Sequence, residues 1–123
     1  VGVVFWILQV LLAGMFVMSG FVKIFQYERA KLLFPWMHDL SRAAASTIGL
    51  LEIAGGLGLF LPELIQTWTW LGLAASCGLL VLMISAAVFH GRRGEEPQVM
   101  LTAAIALVLA LLVYSQALAL FVY

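Results

Sequence analysis

Charge is scarce in this chain. Asp, Glu, Lys and Arg make up 10% of its 123 residues and apolar residues 65%, where soluble domains carry about 25% and about 45–50%. That gap excludes an ordinary water-soluble domain and points to an integral membrane protein with one domain. Six basic and six acidic side chains cancel, so no basic excess supports nucleic-acid binding. Cysteine is reduced to Cys77. One thiol excludes an internal disulfide and a CxxC redox pair, and any dithiol chemistry has to come from a partner. No Ser/His/Asp arrangement, phosphate loop or HExxH occurs.

Long apolar runs take the place of charge. A helix needs about 20 apolar residues to cross roughly 30 Å of hydrocarbon. Four segments qualify, at about 1–25, 43–61, 65–89 and 99–123. Their length and lack of turn signals favour helix over strand, and the first is too long for a signal-peptide core. The expected fold is all-α: an integral membrane, antiparallel four-transmembrane-helix bundle with an interfacial segment between helices 1 and 2.

The connections are unequal. Residues 26–42 are amphipathic, holding Glu28, Arg29, Lys31, His38, Asp39 and Arg42 and broken by Pro35. Short interfacial helices are expected there, with Leu32, Leu33, Phe34, Trp36 and Met37 dipping into the headgroup region. Pro62–Leu64 reads as a tight turn carrying Glu63, and residues 90–98 as a polar turn with Arg92, Arg93, Glu95, Glu96 and Pro97. All six basic residues fall on the side of the first and third connections. The positive-inside rule makes loops 26–42 and 90–98 cytoplasmic. Trp6, Trp68, Trp70 and Tyr123 then mark the outer interface, and Tyr27 and Trp36 the inner one.

Small residues mark the helix contacts, because close packing replaces hydrophobic exclusion in lipid. Ala45, Gly49, Glu52 and Gly56 share one face of the second span. Gly72, Ser76, Met83, Ala86 and His90 share one of the third, and Ala103, Ala106, Ala110 and Ala117 one of the fourth. Cys77, Ser85, Thr102 and Gln116 read as packing residues bonded to backbone carbonyls.

Glu52 is the exception in its span. A carboxylate at mid-helix costs ~2.5–3.5 kcal/mol on insertion scales, so it needs a partner or a wet cavity. It lies ~13 Å from the inner start of its helix. Lys23 and His90 stand at the inner ends of the first and third spans, Ser19 lies a turn deeper than Lys23, and Tyr27 a turn shallower. These groups outline a pocket open to the cytoplasmic face with Glu52 at its floor. The competing reading pairs Glu52 with Lys23 as a structural ion pair and leaves His90 as a helix-end cap. Glu52, His90 and His38 match no metal-ligand spacing, so no metal site is assigned.

Ser19–Gly20–Phe21–Val22–Lys23, the run Gly49–Leu50–Leu51–Glu52–Ile53–Ala54–Gly55–Gly56, and the exit His90–Gly91–Arg92–Arg93–Gly94 together resemble the DoxX-like family over nearly the whole chain. The resemblance implies four transmembrane helices with the bulkiest connection after the first. It also implies a setting in redox homeostasis, since the family is named for a membrane component of a thiosulfate:quinone oxidoreductase. Most members have no assigned reaction, and no mechanism comes across with Lys23, Glu52 or His90.

Two functional readings follow. In the first, the chain is a membrane subunit that binds a lipophilic redox molecule, a quinone as cofactor, and supports a partner oxidoreductase. Glu52 would handle a proton or bond the quinone oxygen, with Lys23, His90, Ser19 and Tyr27 around it. In the second, it is a non-enzymatic structural or assembly subunit of a larger membrane complex, with Glu52 satisfied internally. No catalytic residue is assigned. The expected location is a bacterial or archaeal inner or plasma membrane.

Overall fold

The computed structural model describes residues 2–65 and 69–121. The order is α1 (Gly2–Phe25), α2 (Tyr27–Leu33), a 3-10 turn (Pro35–Asp39), α3 (Arg42–Ile65), α4 (Thr69–Arg92) and α5 (Glu96–Phe121). The protein is all-α. Four helices are long and apolar enough to cross a membrane: Gly2–Phe25, Arg42–Pro62, Trp70–Arg92 and Glu96–Phe121. Their outward faces carry Leu11, Met18, Leu50, Val81, Leu107 and many similar side chains. In water such surface would be a large apolar patch, whereas hydrocarbon matches it.

The chain divides into two compact units, Val1–Phe60 and Leu61–Tyr123. In the first, α1 and α3 run antiparallel. Gly20 meets Gly49, while Ala13 meets Gly56 further along. A Cβ on Gly49 would lie 2.7 Å from the Gly20 carbonyl oxygen, and one on Gly56 2.9 Å from that of Ala13. Glycine is what lets the two backbones touch. The buried face of α3 is the expected one, with Ala45, Gly49, Glu52 and Gly56 all buried.

Ser41 starts α3, its Oγ accepting the Ala44 backbone N–H at 3.1 Å, the usual N-cap bond. The short α2 and the 3-10 turn return the chain from α1 to α3. Tyr27, Ala30, Met37 and Ala45 form a buried cluster there, with Val22, Phe34 and Trp36 against it.

In the second unit α4 and α5 pair antiparallel. Ser76 meets Gln116 far from the connection, and His90 meets Glu95 beside it. Gly72, Ser76, Met83 and His90 are buried on α4 and Ala86 is half-buried, as the spacing predicts. On α5 the alanine stripe is half-buried at Ala106, Ala110 and Ala117. Ala103 is exposed, and Thr102, Leu109 and Leu112 are buried.

Helix ends differ from the sequence expectation in one consistent way. The expected tight turn at Pro62–Leu64 is helical instead: α3 continues through Pro62 to Ile65, and residues 66–68 lie outside the described residues. Proline near a helix end removes only one backbone bond, which a membrane helix tolerates. The polar stretch 90–98 is likewise mostly helical, broken only around Arg93–Glu95. Gly94 takes φ +71 there, the left-handed conformation glycine supplies at helix ends. A switch from apolar to polar residues marks the edge of the lipid, and a helix need not end there. Of the aromatic markers, Trp6 and Trp70 are exposed, whereas Trp68 and Tyr123 lie outside the described residues.

Candidate functional site

The first unit brings Lys23 and Glu52 together as a buried ion pair. Helix geometry explains how. Every Cα–Cβ bond tilts toward the N-terminus of its own helix. Lys23, in the last turn of α1, therefore leans inward along the bundle, and Glu52 on antiparallel α3 leans back toward it. The Gly20–Gly49 contact, three residues before each partner, draws the helices close enough for the side chains to meet. Lys23 is 7% exposed and Glu52 2%, so Lys23 does not snorkel outward. The Lys23 Nζ also lies 5.6 Å from the centroid of the Trp36 ring. Cation–π attraction adds to the pairing when the ammonium is desolvated.

Ser19, Tyr27 and His90 are held in different ways. Ser19 is half-buried on α1. Tyr27 is buried, and its hydroxyl donates to the Leu40 carbonyl at 2.5 Å, tying the start of α2 to the chain entering α3. His90 belongs to the second unit. Its Nδ1 lies 2.8 Å from Glu95 Oε1, and Arg93 Nε donates to the same oxygen at 3.0 Å. The His90 hydrogen bond holds the Glu95 carboxyl below its ordinary value of 4.5; partial burial opposes this and Arg93 adds to it. Among the described residues, no three His, Cys, Asp or Glu side chains gather as a metal site would require.

The first unit also carries an apolar groove of about 270 Å³ between α1 and α3, lined by Val10, Gly14, Val17, Gly56 and Phe60 among others. Glu52 and Lys23 do not line it. Gly14 leaves its wall open, since a Cβ there would touch nothing within 4 Å. Among the described residues no buried side-chain nitrogen or oxygen lacks a hydrogen-bond partner.

Two participants were missed by sequence reasoning. Trp36 was read as an interface marker, and Glu95 as one charge in a polar turn. Gly94 was the available signal for Glu95, because a left-handed residue folds the next side chain back onto the helix end. For Trp36 no local spacing would have sufficed, since the 3-10 turn carries it back over α1.

The DoxX-like family matches residues 7–113 of this chain. The chain belongs to the DoxX-like family. The matched stretch contains Ser19, Lys23, Tyr27, Glu52 and His90. No curated protein and no solved structure matches this DoxX-like chain.

Proposed function

We propose that this DoxX-like protein acts as a non-enzymatic membrane subunit, occupying a place in a larger assembly with a partner oxidoreductase. The observation that carries this reading is the internal satisfaction of Glu52. Its charge is met by Lys23, and the groove in the same unit is apolar and lined by other residues. A buried ion pair of this kind fixes which faces of two helices meet, the best-attested use of such groups. The redox setting comes from the family resemblance.

A specific observation supports the quinone reading as the second. The pair lies against Trp36, which offers an aromatic face beside a protonatable group at the cytoplasmic end expected for α1. The apolar groove has room for part of an isoprenoid tail. Purified protein in detergent, titrated with a short-chain ubiquinone and followed by tryptophan fluorescence, separates the two. The assembly reading expects no saturable quenching. Saturable quenching that Glu52→Gln and Trp36→Phe both weaken would replace it with the quinone reading.

A further inference from the structure

Two cations face one aromatic ring at the α2 end of the first unit. Lys31 Nζ lies 4.8 Å from the Tyr27 ring centroid and Arg42 Cζ 5.8 Å. Arg29 is exposed on the same short helix. Tyr27 is itself fixed by its bond to the Leu40 carbonyl, so the cations converge on an ordered element. Of the carboxylates in this segment, Glu28 engages Lys31 at 3.2 Å, and Asp39 stands at the end of the 3-10 turn. Neither Arg29 nor Arg42 pairs with a carboxylate among the described residues. Beside them Leu32 is 80% exposed and Leu33 60%.

Exposed leucines next to unpaired guanidinium groups, at the end of two membrane-length helices, fit one kind of surface. The leucines suit the acyl boundary and the guanidinium groups the phosphate level above it. Arginine presents a planar fork matched to phosphate oxygens. We propose that Lys31 and Arg42, arranged about Tyr27, bind the headgroup phosphate of an anionic phospholipid in the adjoining leaflet, with the exposed Arg29 of the same helix adding to the attraction. A zwitterionic lipid brings its own cation and is the poorer match.

The test is native mass spectrometry of the whole chain from micelles holding equal amounts of phosphatidylglycerol and phosphatidylcholine. The wild type should retain phosphatidylglycerol in excess. That preference should fall by about fivefold for each arginine removed in Arg29→Gln and Arg42→Gln. Arg29→Lys with Arg42→Lys keeps the charge but loses the fork, and should retain a preference between those of the wild type and the double glutamine variant. Unchanged helical circular dichroism in each variant separates loss of binding from loss of fold. Equal retention of both lipids, or an unchanged preference in the double glutamine variant, overturns the proposal. Displacement of the lipid by millimolar inorganic phosphate also overturns it, marking a site for free anions.

Discussion

Lys23 and Glu52 reach each other because they sit on antiparallel helices, each leaning toward its own N-terminus and so toward the other. The same lysine on a parallel neighbour would point past the carboxylate. The pair is therefore a property of the α1–α3 crossing, and its response to mutation should show coupling.

Glu52→Gln leaves the ammonium of Lys23 buried without a counter-charge. Removing one partner of a buried pair costs about 3–5 kcal/mol, whereas replacing both with apolar groups is often near neutral. Unfolding in detergent should therefore find Glu52→Gln and Lys23→Met each strongly destabilising. Lys23→Met combined with Glu52→Leu should be closer to wild type than either. Additive losses in the double variant would show that the two charges do not act as a pair.

Gly49 and Gly14 form a matched contrast. Alanine at Gly49 drives a methyl group to 2.7 Å from the Gly20 carbonyl, while at Gly14 it enters open space. The first should cost about 1–3 kcal/mol as the helices separate, and the second should stay within about 0.5 kcal/mol of wild type. Thermal unfolding of the two variants side by side checks this. Equal effects would mean that the helices do not rely on their approach at Gly49.

How much of this was legible beforehand depends on the kind of signal. Ala45, Gly49, Glu52 and Gly56 gave their shared face through helical spacing alone, because burial of small residues repeats with the turn. Glu52 announced a need for a partner, and Lys23 was one of few cations able to answer it. The alanine stripe of α5 is buried only in part, because alanine is small enough to sit anywhere and a stripe of it carries little directional information. α3 runs past residue 61, α4 past 89, and α5 starts before 99, because polarity locates the membrane boundary. Backbone bonding, which ends a helix, leaves a weaker trace such as Gly94.

Ser76 bridges α4 and α5 at 2.7 Å from Gln116 Oε1 and 2.8 Å from the Gly72 carbonyl. One hydroxyl proton serves one acceptor, so the two contacts coexist when the Gln116 amide presents its N–H₂ to Ser76. Interhelical bonds inside membrane proteins average about 0.6 kcal/mol, and Ser76→Ala should lose about that much. Ser85, exposed and bonded to Val81 on its own helix, supplies the control. Ser85→Ala should leave the unfolding midpoint unchanged, and a larger loss there than at Ser76 would refute the bridging role.

Acid should loosen the α4–α5 connection. Glu95 is held below its ordinary value of 4.5 in the folded chain by the His90 hydrogen bond, with Arg93 assisting. A carboxyl with a lowered folded value binds fewer protons folded than unfolded, so its contribution to stability is complete above about pH 4.5 and fades as pH falls further. Once protonated, it no longer attracts Arg93 or a charged His90. Unfolding midpoints taken from about pH 6 to pH 3 should fall more steeply for the wild type than for Glu95→Gln, which has no proton to gain at that position. Arg93→Gln should reduce the slope only in part, because the His90 contact is the larger cause. Parallel curves for wild type and Glu95→Gln would show that this carboxylate does not hold the turn.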